Sequence, residues 1–510
     1  MTIDWPVLMD GLCDFELDGK GASLIYQKKQ RSNFRILNCK RVAIRNLNMD
    51  WDWERDPLGS VARVEQKKDG FIDFCFFEYD RFPRRDIRIL GVSGYDAKTG
   101  SVGIEDGLDI DLGQRGLKWI SDNVLRVETD APLEAGELYR LKHYNYDMNG
   151  FEMEDNHHLT FEDINVHGAA GHAFCVQGHQ QYWQIVPPAG KPRRPITCTA
   201  DHLHFYRSNG FFKLENSEFS FGGDDCLNVH DTTGFSVKTG KNSLRVKTMN
   251  APAAGSPVEL RHGDYSPIGL LATVTAVKPV ENTYGTFDVV LDRPIPEPLK
   301  GERGFVLFDR SYGSRNILIR NNYFHDNRAR GLLILTDDVT IENNRFFHNQ
   351  MGAIKIETGY TLHSWCEGYG ASNIVVRGNR FDTVNPQDVG NDGMSRDIFI
   401  GVYLDTDPSS RRTDYPILSN ILFENNIFKD TFGLVAFISS AGNVTFRNNT
   451  FHNPTRRKMP YPYRGEFYVT DASNVKIVNN RYISSPNVPK PGVMLDSRTT
   501  HNIIVEGNTV

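Results

Sequence analysis

The sequence predicts an all-β protein, a right-handed parallel β-helix carrying two small inserted antiparallel β-barrels. Three observations lead there. A strand–turn–strand unit recurs at a nearly constant step, with 22 residues between Asn321 and Asn343 and 23 between Asn425 and Asn448. Each copy turns on asparagines, which tolerate the left-handed backbone that tight turns need. Two stretches lack the unit and show alternating strands with charged turns instead.

The unit is clearest in the C-terminal half. Asn316-Ile317-Leu318-Ile319-Arg320-Asn321-Asn322-Tyr323-Phe324 returns as Val339-Thr340-Ile341-Glu342-Asn343-Asn344-Arg345-Phe346 and as Asn373-Ile374-Val375-Val376-Arg377-Gly378-Asn379-Arg380-Phe381. Further copies centre on Asn425-Asn426, Asn448-Asn449 and Asn479-Asn480, and a partial one ends at Asn508. Each reads as a strand of alternating side chains, an asparagine turn, and a second strand opening on an aromatic. One coil per copy makes a solenoid; a propeller would need blades of about 40–50 residues with four strands each.

Weaker copies lie at Phe34–Cys39, Val42–Leu47, Leu159–Ile164 and Phe212–Phe219. The reading therefore divides the chain into first coils (1–54), an inserted barrel (55–148), coils bearing paired acids (149–231), a second inserted barrel (232–310) and C-terminal coils (311–510). The two insertions resemble each other: Leu125 to Pro132 before Gly136, and Val290 to Pro294 before Gly301. They either shape a substrate mouth or serve as spacers or dimer contacts.

Composition narrows the class. The chain has 510 residues, 24% charged and 39% hydrophobic, with a net charge of −6, which argues against nucleic acid as a partner. No apolar run reaches the roughly 20 residues that span a bilayer, so no membrane association is expected. The N-terminus shows neither the basic nor the apolar region of a signal peptide, which fits a cytoplasmic protein or one whose leader has been removed. Seven widely spaced cysteines without a CxxC argue against a zinc site and a disulfide framework.

The chemistry centres on Gly222-Gly223-Asp224-Asp225-Cys226-Leu227-Asn228-Val229-His230, with Asp201 lying 23 residues before Asp224. Neighbouring coils stack about 4.8 Å apart, which would bring Asp201 beneath the pair. Three clustered carboxylates repel, so at least one holds a proton near neutral pH. A protonated acid beside an ionised base is what glycoside hydrolysis needs. Three carboxylates also suit calcium, and a calcium-dependent lyase is the rival; no basic cluster for its base accompanies the acids, and no metal or other cofactor is expected. Asp337-Asp338 opens a repeat strand and reads as a turn.

At this point the residues resemble a known family. Arg194 to Phe205 and Gly222 to His230, together with Arg328-Ala329-Arg330-Gly331-Leu332-Leu333-Ile334, Gly352-Ala353-Ile354-Lys355-Ile356-Glu357, Trp365-Cys366-Glu367-Gly368 and Asn48-Met49-Asp50-Trp51-Asp52, are similar to the exo-acting α-galactosidases of glycoside hydrolase family 110. The resemblance covers most of the chain, both insertions included. It departs at the shortened start and at Cys226 and Cys366. It implies a pectin-lyase-like β-helix that releases terminal α-linked galactose, typically α-1,3-linked, with inversion. It implies Asp201, Asp224 and Asp225 as active-site carboxylates. His204 and His230 flank them, and Arg330, Glu357, Trp365 and Glu367 are candidates to bind the sugar. The expected partner is a galactose-containing oligosaccharide or glycan, with a homodimer possible. The alternatives are a polygalacturonase-like or other β-helix hydrolase, a polysaccharide lyase, and a non-catalytic glycan-binding β-helix.

Overall fold

The structure is a computed structural model and describes residues 1–27, 32–77, 85–102, 110–178, 180–181, 194–360, 366–385, 396–403, 413–431, 433–452, 466–483 and 492–510. Nearly all regular structure is strand. Three parallel sheets, of sixteen, nine and seven strands, form the faces of a β-helix.

The asparagine pairs explain the turn between the nine-stranded and seven-stranded sheets. The first member is left-handed: Asn321, Asn343, Asn425, Asn448 and Asn479 have φ between 55° and 59°, and Gly378 and Gly507 replace it with φ of 65° and 66°. The second member turns inward and is buried. Its side chains form a ladder, with Nδ2 of Asn322, Asn344, Asn426 and Asn449 each donating to Oδ1 of the next asparagine at 3.0 Å, and Asn379 at 3.1 Å. A polar ladder is tolerated inside because each carboxamide is bonded above and below. The aromatic that follows stacks likewise. Phe324, Phe346, Phe381, Phe428 and Phe451 lie 4.5 to 5.4 Å apart in the core. Asp338 sits in another left-handed turn (φ 59°) and accepts a hydrogen bond from Asn373.

The insertions leave the coil without breaking it. Strand Asn149–Val166 pairs in parallel with Ser32–Leu37 and with Lys40–Trp51, closing over the first insertion. Asn209–Glu215 pairs with Gly313–Arg320, closing over the second. The second is a closed six-stranded antiparallel barrel with its own core of Leu244, Val246, Val258, Leu260, Val289 and Leu307. The first corrects the expectation of a barrel. It is a seven-stranded antiparallel sheet around Phe74, Val127 and Leu141, and among the described residues no pairing joins its edge strands Gly116–Trp119 and Ser101–Val102. Alternating side chains give the same pattern in an open sheet and in a barrel.

Candidate active site

The site lies on the sixteen-stranded face, in the turns entering three consecutive strands, Leu203–Tyr206, Leu227–His230 and Leu332–Leu335. Leu203 pairs with Leu227 and Leu227 with Leu332. Asp201, Asp225 and Arg330 each stand two residues before these partners, so they occupy one position on successive coils. Asp224 thus aligns with Ala200, and the stacking partner of Asp201 is Asp225 rather than Asp224. Backbone bonds tie the column: Asp225 N–H donates to Asp201 Oδ1 and Arg330 N–H donates to Asp225 Oδ1, both at 3.0 Å.

The two glycines are demanded by close approach. A Cβ on Gly222 would lie 2.4 Å from His202 and 2.5 Å from Asn327, and one on Gly223 would lie 2.5 Å from the Thr199 carbonyl. Asn327, fully buried, accepts from Gly222 N–H at 2.9 Å and donates to the Asp224 carbonyl at 2.6 Å, fixing the turn.

Each carboxylate has a different partner. Asp224 is the most open, with its side chain 24% exposed. It meets Arg328 Nη1 at 3.2 Å and accepts from the Tyr146 hydroxyl at 3.0 Å. Burial and the Asp224 charge hold that phenol protonated by raising its pKa. Asp225, almost fully buried, lies 2.8 Å from Arg330 Nε. Burial pushes its pKa up, and the Arg330 charge opposes the shift. Among the described residues no arginine or lysine pairs with Asp201, though the Arg330 charge opposes its shift. Burial, then the Asp224 charge, hold its carboxyl well above the usual range.

Hydrogen-bond direction gives the same answer for Asp201. His230 Nδ1 lies 3.1 Å from the Asp231 carbonyl, which can only accept, so Nδ1 carries hydrogen. Burial lowers the pKa of both His230 and His204, so each imidazole carries one hydrogen. His230 Nε2 is then an acceptor, and His204 Nε2, at 3.0 Å, must donate to it. That leaves His204 Nδ1 as a lone pair 2.7 Å from Asp201 Oδ2, which must supply the proton. The resting site therefore holds a proton on Asp201, with a guanidinium facing each of Asp224 and Asp225.

Of the remaining sequence candidates, Glu367 approaches His230 Nε2 at 3.7 Å and stands beside Thr232 at the start of the second insertion. Glu357 is buried and pairs with Lys355 at 3.0 Å; burial raises its pKa. Trp365 lies outside the described residues. Sequence reasoning missed Tyr146, Arg328, His172, Lys355, Asn327 and Asn228. Arg328, Lys355 and Asn228 stood inside quoted motifs. Tyr146 ends the first insertion, 78 residues from its partner, and nothing local marked it.

Among the described residues, two groupings have ligand atoms close enough for a cation, Asp201 with Asp224 and Asp225, and His172 with Asp201 and His204, each within 4.8 Å. Calcium takes about 6–8 oxygens, and here guanidiniums already face Asp224 and Asp225. The donor set therefore fits poorly.

Comparison with known proteins gives first the class and then the kin. A family model described as a right handed beta helix region matches residues 308–395 and 397–510. The chain is a distant homologue of curated α-1,3-galactosidases. It is 25% identical to alpha-1,3-galactosidase A of Bacteroides fragilis (strain YCH46) over 471 residues, 87% of this chain and 74% of that one. It is 25% identical to alpha-1,3-galactosidase B of Akkermansia muciniphila over 468 residues, 86% of this chain and 56% of that one. Among solved structures, tailspike protein 3 of bacteriophage CBA120 aligns with 99% of this chain and 55% of its own, at 8% identity and a TM-score of 0.38.

Proposed function

We propose that this protein is an exo-acting glycoside hydrolase that releases terminal α-linked galactose, α-1,3-linked by preference, from oligosaccharides or glycans. The observation that carries the reading is the column of Asp201, Asp225 and Arg330 with Asp224 beside it: three acids, one protonated, in a buried cluster. That is the equipment for protonating a leaving oxygen while a carboxylate works on the anomeric centre. Homology to α-1,3-galactosidases supports the sugar and linkage. Around the acids, His230, Leu333, Lys355 and Glu357 point outward from the sheet yet are each no more than 6% exposed. A covered face of this kind suits a terminal sugar better than an open endo-acting cleft would. His204, His230, Arg330, Glu357, Trp365 and Glu367 are the proposed sugar-binding side chains, with Asp201, Asp224 and Asp225 catalytic. In this reading the insertions wall the site, a role supported by Tyr146 bonding Asp224 and Thr232 bridging to Glu367.

The inverting outcome rests on the family resemblance. The nearest oxygens of the three acids lie within 4.8 Å, tighter than the roughly 6.5–9.5 Å between the carboxyl groups of inverting pairs. Incubation with aryl α-glycosides and α-1,3-galactobiose, followed by NMR of the first anomer released, tests both parts. Hydrolysis of galactosides with β-galactose appearing first is expected. No α-galactoside hydrolysis would overturn the activity, and α-galactose appearing first would overturn inversion.

A further inference from the structure

Asn228 lies on the outward face of the sheet, three residues after Asp225 on the same coil. It pairs in register with His204 on the preceding coil and Leu333 on the next, and its side chain shares the outward face with His230. It is 5% exposed. Its Oδ1 is buried and has no hydrogen-bond partner. The polar groups around it are committed: His204 to Asp201 and His230, His230 to the Asp231 carbonyl, Lys355 to Glu357. Buried polar side chains are ordinarily bonded, and one left open beside catalytic acids calls for a ligand.

From this geometry we infer that Asn228 binds a ring hydroxyl of the hexose in the pocket and helps select galactose over its epimers. A carboxamide offers one acceptor and two donors, and a sugar hydroxyl can answer either. Leu333, on the other side, presents an apolar surface at the same level. This face thus reads a polar edge and an apolar patch side by side, as recognition of one pyranose stereoisomer requires. Losing a bond that only the correct hydroxyl can make is also how a site rejects an isomer.

The inference rests on the α-galactosidase reading, and one experiment separates them. Wild type, N228L and N228A are assayed on 4-nitrophenyl α-galactoside, the α-glucoside and the four monodeoxy α-galactosides, with circular dichroism as the folding control. The expected result is a fall in kcat/KM on the galactoside of about 10- to 100-fold in N228L. Wild type should lose a similar factor on one deoxy substrate, and N228L should lose nothing further on it. N228A, which removes the carboxamide without adding bulk, gives the same comparison should N228L not fold. A kcat/KM within about twofold of wild type, or equal deoxy penalties in wild type and variant, would overturn the role of Asn228 alone. A wild type inactive on every α-galactoside would overturn the functional reading and the galactose assignment with it.

Discussion

His204 Nε2 and His230 Nε2 face each other at 3.0 Å, and only one of them can donate. The Asp231 carbonyl settles which, and the consequence runs back to a proton on Asp201. An acceptor on the neutral form of an acid raises its pKa. H204F removes that acceptor and lowers the pKa of Asp201. A raised carboxyl loses its proton as pH rises, so the alkaline limb of the pH profile for kcat/KM should move to lower pH. A limb that stays in place or moves upward contradicts the hydrogen-bond chain.

The three acids should be separable by leaving group. D201N, D224N and D225N are each expected to lose about 10²–10⁴-fold in kcat on α-1,3-galactobiose. The variant lacking the proton donor should recover most activity on an aryl galactoside whose leaving group needs no proton, and the others should not. Uniform recovery, or activity within tenfold of wild type in D224N, would refute the carboxylate mechanism.

Arg330 faces the nearly buried Asp225 carboxylate. Removing one partner of such a pair leaves a stranded charge, at a cost of about 3–5 kcal/mol. R330M should therefore lower the thermal midpoint, and D225N/R330M should recover part of the loss. A double variant no better than R330M would show that packing, not charge, is at stake.

The asparagine ladder predicts stability without catalysis. N426A removes the acceptor for both the backbone N–H and the Nδ2 of Asn379. The expected loss is about 1–3 kcal/mol, seen in chemical denaturation, with kcat on the galactoside unchanged. A change in kcat would show that the ladder reaches the pocket.

The buried histidines should cost the fold stability in acid. Burial pushes His143 and His202 down to about 4 and lowers His172, His204 and His230. An unfolded histidine titrates near about 6.5, so below that pH the unfolded chain takes up protons that the folded chain refuses. The histidine contribution to stability therefore falls between about pH 6.5 and 4. The raised carboxyls of Asp201, Asp225, Asp231, Glu357 and Glu466 act in the opposite sense, so the histidine share is isolated by comparing wild type with H143Q, whose midpoint should fall less over this window. Thermal midpoints measured across this window check the slope.

The solenoid was legible because stacking forces identical residues onto identical positions. An Asn-Asn pair must supply one left-handed residue and one ladder carboxamide, and that requirement repeats visibly at Asn321-Asn322 and Asn448-Asn449. The acids were legible as a group for the same reason. The step of 23 residues put Asp201 beneath the Asp224-Asp225 pair, and the coil, one residue longer, sets it on Asp225. Contacts made by returning insertions carry no period, so Tyr146 on Asp224 left no local trace. Whether the first insertion closed was equally hidden, since both outcomes use alternating strands.

The splicing of insertions into coils sets an order of assembly. Coils after residue 311 join segments about 22 to 47 residues apart, as Asn322 with Asn344 and Asn379 with Asn426 show. Ser32–Leu37 waits for Asn149–Glu154, and Asn209–Glu215 waits for a partner 105 residues on. Closing those larger loops is slower, because chain entropy is lost before contacts reward it. The C-terminal coils thus provide a template, and the coils bearing the acids complete last, once both insertions have collapsed on their own cores. Refolding chains should recover β-structure before they recover the pocket.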